Sequence, residues 1–561
     1  LSKGYIKNIV ITFTKVTMLK QFLKILILLS VFLFFEKCAQ VSPLTGGERD
    51  KTPPKLVEAL PANKSLNFHG SEIILRFNEF VQLKNLKNQL LISPGLKTEP
   101  EISTAGKQVV ISLKKEELLP NTTYRFYFGK SIADMTEGNA IQNFEYVFST
   151  GNYIDSLIIK GNITDAFNLK GISDAIVGLY MNVSTDSLPF LQIPDYISRS
   201  NNNGGFNFSN LPQKTFKVIA FLDNNKNYKY DGETEKIGFR DKDLDLIKDT
   251  VVNLSIFQEE PNKTFIKKTF LPYYGKALVI FNRKSVFNVK AFQKTDQANI
   301  YEPDVNKEKD SITLYYKNIK DSLKILVTNA QTKKTDTLNL TLPKINANKN
   351  KTLGFSTNVQ NGVLDYRQPL QFTFLNLLDS SKINWQNMRL LYKKDTAMVK
   401  EPLIAKLAAP YKVEVNNKLS EGINYKLKID SAAFFDHNGK YNDSANINFR
   451  LNGKKDFGKV TLKLLLNKKQ AYIIQMINDK DQVAKEGFIS FSLSSSNAVS
   501  MDFEGLVPGN YSVKILFDDN ENKKWDTGNY LLNKQAEKVI IHQKQIKVIS
   551  DWEVEEEILV K

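Results

Sequence analysis

The chain has 561 residues, 42% of them hydrophobic and 11% aromatic, with a formal net charge of +17 and a single cysteine. One thiol excludes any disulfide within the chain, so stability has to come from apolar burial. Only nine of the 77 basic residues are Arg and the lysines are spread along the whole length, which argues against nucleic-acid binding and for a solvated, Lys-rich surface.

The first forty residues describe an exported product. Met18 to Lys24 is a short basic stretch, and Ile25 to Phe35 is an uncharged apolar run. As a helix that run reaches only about 16 Å, too short for a bilayer core of about 30 Å. This order is that of a secretory signal peptide, with residues 1–17 upstream of its start. Cys38 lies just behind the run and is the expected lipidation site, because a signal cut before it leaves the thiol at the new N-terminus, where bacterial lipoproteins are acylated. Glu36 and Lys37 stand where lipoprotein signals carry small residues, and the alternative is a signal cut later, with Cys38 a leftover thiol. Residues 38–52 then form a flexible tether.

Beyond the tether, apolar residues alternate with polar ones. Ile73, Leu75 and Phe77; Val109, Ile111 and Leu113; Tyr124, Phe126 and Phe128; and Phe144, Tyr146 and Phe148 each line one pleat face, with Arg76, Ser112, Arg125 and Glu145 on the opposite faces. Turn pairs such as Pro94-Gly95, Pro120-Asn121 and Gly138-Asn139 separate these runs, which predicts an immunoglobulin-like sandwich over residues 53–151. The pattern returns 301 residues later: Leu118, Tyr124, Phe126, Phe128, Phe148 and Asp155 correspond to Leu419, Tyr425, Leu427, Ile429, Phe449 and Asp456, while Gly151 meets Asn452, with Gly453 one place out of register. At an offset of 295, Phe208, Leu211, Phe216, Val218, Asp223, Asn225, Asn227 and Asp231 align without a gap with Phe503, Leu506, Tyr511, Val513, Asp518, Asn520, Asn522 and Asp526. A duplicated two-domain unit explains both. The expected division after the tether is therefore 53–151, 152–265, a small β domain at 266–347, 348–453 and 454–561. The predicted fold class is all-β, with tandem Ig-like and prealbumin-like β-sandwich domains following a signal helix.

Thr52-Pro53-Pro54, Pro61-Ala62-Asn63, the strand Ile73 to Phe77 with Asn78-Glu79-Phe80-Val81, Leu119 to Tyr124, Ile132-Ala133-Asp134, Gly138-Asn139 and Phe148-Ser149-Thr150-Gly151 together resemble the bacterial Ig-like domain of the S-layer-protein type. Cys38 followed by Thr45-Gly46-Gly47 is similar to lipoproteins of AT-rich Gram-negative bacteria that carry this domain. That resemblance implies an outer-membrane lipoprotein without catalytic residues. Phe208 to Pro212 with Asp223 to Asp231 is similar to the prealbumin-like or carboxypeptidase-regulatory sandwich. In the same bacterial group, Asp followed by Ser or Thr and an aliphatic residue resembles an O-glycosylation acceptor, which implicates Ser156, Ser187, Thr250, Ser311, Ser322, Thr337, Thr396, Ser431 and Ser444; the same tripeptide also simply begins many strands.

The segments Asp223 to Asp231 and Asp518 to Asp526 share the pattern DxNxNxxxD. Asp223, Asn225, Asn227 and Asp231, and likewise Asp518, Asn520, Asn522 and Asp526, place oxygen side chains at alternate positions, as calcium loops do. Against this, position 6 holds Tyr228 or Lys523 where an EF-hand has Gly, and position 12 holds Thr234 or Asn529 in place of a bidentate Glu. Hairpins closed by Asx-turns are the other account, and both stay open. The three histidines, His69, His437 and His542, fall in different predicted domains, and no hydrolase motif is present. The function expected is a non-enzymatic, lipid-anchored string of sandwiches with a structural, adhesive or scaffold role, contacting the membrane through its anchor and envelope proteins or polysaccharide through its surface. The rivals are a glycan-binding module using Trp385, Trp525 or Trp552 as platforms, and an unrecognised hydrolase.

Overall fold

A computed structural model describes residues 50–561, apart from 115–117, 182–185, 293–298, 301–303, 307–309, 318, 320, 344–351, 395 and 493–497. Cys38 and the signal segment lie outside the described residues. The fold is all-β, and its only α-helices among the described residues are two single turns, Leu86–Gln89 and Leu188–Leu191. None of the described helices is long and apolar enough to cross a membrane.

Five apolar cores follow one another along the chain. The first is formed by the alternating rows read from the sequence: Ile73, Leu75, Phe77, Val109, Ile111, Tyr124, Phe126, Phe128, Tyr146 and Phe148 are all buried in it. Its strands pair as Leu56–Leu60, Glu72–Phe77, Gln108–Ser112 and Glu101–Ala105 in one sheet, and Leu91–Ser93, Thr123–Gly129 and Phe144–Ser149 in the other. The opposite pleat faces stay polar, as period-2 geometry requires, and there Arg125 pairs with Glu145 across neighbouring strands at 2.7 Å.

The fourth sandwich repeats this plan. Phe355–Thr357, Leu370–Phe374, Lys412–Val415 and Ala405–Ala409 pair in the same order, and Asn424–Ile429 pairs with Ala445–Leu451 as Thr123–Gly129 does with Phe144–Ser149. The Tyr124 hydroxyl accepts the Leu119 N–H at 2.8 Å, and the Tyr425 hydroxyl accepts the Ser420 N–H at 2.8 Å. Each ring stacks at 5.4 Å on its partner, Phe148 or Phe449. The out-of-register glycines also match in place: a Cβ on Gly151 would strike Asn121, and one on Gly453 would strike Glu421, both in the loop before the Tyr strand.

The second and fifth sandwiches correspond as closely. Leu157–Asp165 runs antiparallel to Gly205–Leu211 and parallel to Leu254–Gln258, and Gly458–Leu466 does the same with Ala498–Leu506 and Glu553–Val560. Even the bulge recurs, between Leu157 and Ile159 and between Gly458 and Val460. The third sandwich has its own core around Val279, Leu314, Ile325 and Val327.

The sandwiches also pack against one another. In the second sandwich the strand Ile176–Tyr180 is buried along its whole length: Val177 and Leu179 face its own core, while Ile176 and Tyr180 join Ile219, Phe221, Ile237, Phe239 and Phe257 in a cluster on the outer face. That cluster takes in Tyr530 and Trp525 of the fifth sandwich. Two sheets with apolar outer faces cannot both stay in water, and burying large side chains of this kind is worth about 1.5–3 kcal/mol each. Because the third and fourth sandwiches also touch, through Tyr315 stacked on Tyr411 at 5.9 Å, and the fourth meets the fifth through Arg367 over the Phe457 ring at 4.4 Å, sandwiches two to five close on themselves.

Candidate cation-binding loops

Each DxNxNxxxD segment joins two antiparallel neighbours, Thr215–Phe221 with Lys236–Phe239 and Gly509–Asp518 with Val539–Ile541. Asp223 accepts the N–H groups of Asn227 at 3.1 Å and Tyr228 at 2.9 Å; Asp518 accepts those of Asn522 at 3.0 Å and Lys523 at 2.8 Å. The Asn225 and Asn227 amides donate to one oxygen of Asp231 at 2.5 and 2.9 Å, and Asn520 and Asn522 reach Asp526 at the same 2.5 and 2.9 Å. So in each segment the two Asn side chains gather on the last Asp, while the first Asp holds the backbone N–H groups of the turn.

Positions 4 and 6 of both loops are left-handed, with φ of 63° and 58° at Lys226 and Tyr228 and of 57° and 62° at Glu521 and Lys523. The backbone therefore turns where an EF-hand uses Gly, although these side chains make the turn more costly.

A fifth group was not read from the sequence. Glu235, 2% exposed, accepts the N–H groups of Asn224 at 2.8 Å and Asp231 at 3.0 Å, and Glu537, 4% exposed, accepts those of Asp519 at 2.9 Å and Asp526 at 2.7 Å. Each buried carboxylate ties the first and last turns of its loop together just before the return strand. Burial pushes both carboxyls above the usual range, the backbone N–H groups pull them down, and the neighbouring loop aspartates add to the rise. The sequence signal was a Glu shortly before the next strand, hidden because it lies four residues after Asp231 but eleven after Asp526.

These residues suit a hard cation in kind. Asn225 and Asn227 lie exposed; turning their amides over would present oxygens toward Asp231, at the loss of the bonds their Oδ1 atoms accept from the Asn227 and Lys229 N–H groups. No group of three or more His, Cys, Asp or Glu converges as metal ligands among the described residues, so each loop would have to rely on its amides.

The other residues singled out are dispersed. His69 is exposed, burial lowers the pKa of His437, and His542 bonds Glu556 at 3.2 Å, each in a different sandwich. Trp525 is held edge-on to Phe167 at 5.0 Å and donates to the Glu537 carbonyl, Trp385 lies edge-on to Phe434, and Trp552 is 65% exposed. Of the hydroxyl residues, Ser156, Ser187, Ser322, Thr337, Thr396, Ser431 and Ser444 are exposed, and Thr250 and Ser311 are half-buried.

Comparison with known proteins finds the bacterial Ig-like domain at residues 50–150. No curated protein sequence matches the chain. Among solved structures, S-layer protein rSbsC(31-844) is 10% identical over 88% of this chain and 67% of that one, with a TM-score of 0.14. The N-terminal part of SbsC is 10% identical over 52% of this chain and 45% of that one, with a TM-score of 0.13. The major pilin subunit BcpA of Bacillus cereus is 11% identical over 72% of this chain and 99% of that one, with a TM-score of 0.14. The family match falls on the first sandwich, and the paired sheets and buried rows of residues 50–150 are those of a bacterial Ig-like domain.

Proposed function

We propose that the protein is a non-enzymatic component of the cell envelope, held to the outer membrane by lipid on Cys38 and serving a structural, adhesive or scaffold role toward envelope proteins or polysaccharide. One observation carries the non-enzymatic part. The buried carboxylates among the described residues are Asp134, Asp165, Glu235, Glu259, Asp436, Asp518 and Glu537, and every one accepts backbone N–H groups that shape a loop or a domain contact. Groups so committed serve architecture; a general acid or base has to keep an oxygen free for substrate. Metabolic labelling with a palmitate analogue tests the anchor: the natural chain is expected to take up label and Cys38→Ala to lose it, and equal labelling of both would remove the lipid from the proposal.

Calcium in the two loops belongs to the same proposal, as a structural ion that would draw Asp223, Asn225, Asn227 and Asp231, and their counterparts, onto one centre. At free calcium a hundred times the dissociation constant, each site would add about 2.7 kcal/mol. Calcium should therefore raise the melting temperature, EDTA should reverse the rise, and Asp231→Ala should remove the first loop's share of it. A melting temperature indifferent to both reagents would leave the loops as Asx-turn hairpins. Glycans on the nine Ser and Thr acceptors would appear as mass shifts on their peptides.

A further inference from the structure

The second loop is seven residues longer than the first, since Asp526 and Glu537 are eleven apart where Asp231 and Glu235 are four apart. The extra residues form a small arm, closed by a bridge between Asn529 and Lys534, and this arm makes much of the contact with the second sandwich, beside Phe167 against Lys514 and Trp525 and the Lys170–Asp481 pair at 2.9 Å. Thr527 donates to the Gln258 carbonyl at 2.6 Å, the Tyr530 N–H donates to Glu259 at 2.6 Å, and the Gln535 amide donates to the Phe239 carbonyl at 3.0 Å and to Asp241 at 2.7 Å. The Tyr530 ring packs on Phe190 and Phe239. Both sandwiches have complete cores without this contact.

We propose that the arm is an exchangeable clasp, docking on the second sandwich of another copy of this chain as well as on its own, so that copies link through their fifth sandwiches. Three observations point that way. The faces are strongly apolar, so an opened chain needs a partner, and the surface shaped to fit is the same one on a second copy. The contact is less perfect than the cores beside it, because the hydroxyls of Tyr180 and Tyr530, 1% and 5% exposed, have no hydrogen-bond partner. Separation would give both hydroxyls water. Finally, Lys514 is buried with its ammonium 3.1 Å from the Phe167 ring centre, and burial lowers its pKa to about 8, a cost that opening also relieves. The inference stands whether or not the chain is lipidated.

The test uses the full chain carrying Cys38→Ala, with Asp241→Cys in one preparation and Gln535→Cys in another. The two are concentrated together, warmed below global unfolding and treated with a short bismaleimide. A two-chain product from the mixture, absent from either preparation alone, is expected, together with a doubled mass for the parent chain at high concentration. A variant lacking residues 528–534, which shortens the arm to the length the first loop tolerates, should stay at single-chain mass. Cross-linking confined to single chains of the doubly substituted Asp241→Cys, Gln535→Cys protein, with none between chains in the mixture, would overturn the proposal. So would a shortened variant that still doubles its mass.

Discussion

Replacing Asp134 by Ala should cost the first sandwich about 3–5 kcal/mol, and Asp436→Ala should cost the fourth a similar amount. Asp134 is 1% exposed and accepts three backbone N–H groups, from Glu137 at 2.6 Å, Gly138 at 2.9 Å and Asn139 at 2.7 Å. Asp436 is wholly buried and accepts Asn438 N–H at 2.9 Å, Lys440 N–H at 2.8 Å and the Asn376 amide at 2.8 Å. Alanine would leave those backbone donors, on residues that are themselves half-buried, without their side-chain partner. Asparagine keeps one acceptor and turns an NH2 toward the rest, so about half the loss should remain. For Asp134 burial alone would raise the carboxyl, but the backbone N–H groups overcome it and hold its pKa below the ordinary 3.8. The sign follows: a depressed folded pKa gives stability that is present above the unfolded value and lost as pH falls through the folded one. Hydrogen exchange in peptides covering 123–149 should therefore rise on acidification below about pH 4 in the natural chain, and the acid-dependent part of that rise should shrink in Asp134→Ala.

How much of this was legible in the sequence depends on the range of each signal. Pleat alternation is local, so Ile73, Leu75 and Phe77 or Tyr124, Phe126 and Phe128 announce their buried faces without knowledge of any partner. The repeat offsets were legible for the same reason, since each gapless run spans only two or three neighbouring strands. Glu235 and Glu537 were not, because the seven-residue arm shifts one of them and ends the gapless run at Asp526. At position 6, where an EF-hand uses Gly, Tyr228 and Lys523 adopt the left-handed φ that the turn demands, at a cost that Gly would not incur. The clasp did leave a trace. Ile176-Val177-Gly178-Leu179-Tyr180 lacks the alternation of the other strands, which is the mark of a sheet covered on both faces, although the sequence does not say by what.

Phe148→Ala is the second substitution with a large expected effect, about 3–5 kcal/mol on the first sandwich, from lost transfer energy and the cavity left behind. Phe148 is fully buried and meets Phe68 at 4.4 Å, Tyr124 at 5.4 Å, Phe126 at 6.1 Å and Tyr146 at 6.2 Å between ring centres, so it sits at the middle of an aromatic cluster and not at its edge. Its counterpart Phe449, 3% exposed, stacks on Tyr425 at 5.4 Å in a core that also holds Leu427, Leu451 and Leu364, where Phe148 has four ring partners. Aromatic pairs add about 0.5–1.5 kcal/mol beyond area, so Phe449→Ala should fall near 3 kcal/mol, the low end of the range. Leucine should restore most of the volume at either place but none of the ring contacts, and so rescue position 449 more completely than position 148. In a chain of several sandwiches a single melting temperature mixes transitions. The comparison should therefore be read from hydrogen exchange of peptides 123–149 and 424–451 across a urea series. Equal losses at the two positions would mean that the cost lies in the shared stack on tyrosine, and that the surrounding aromatic cluster of the first sandwich adds nothing.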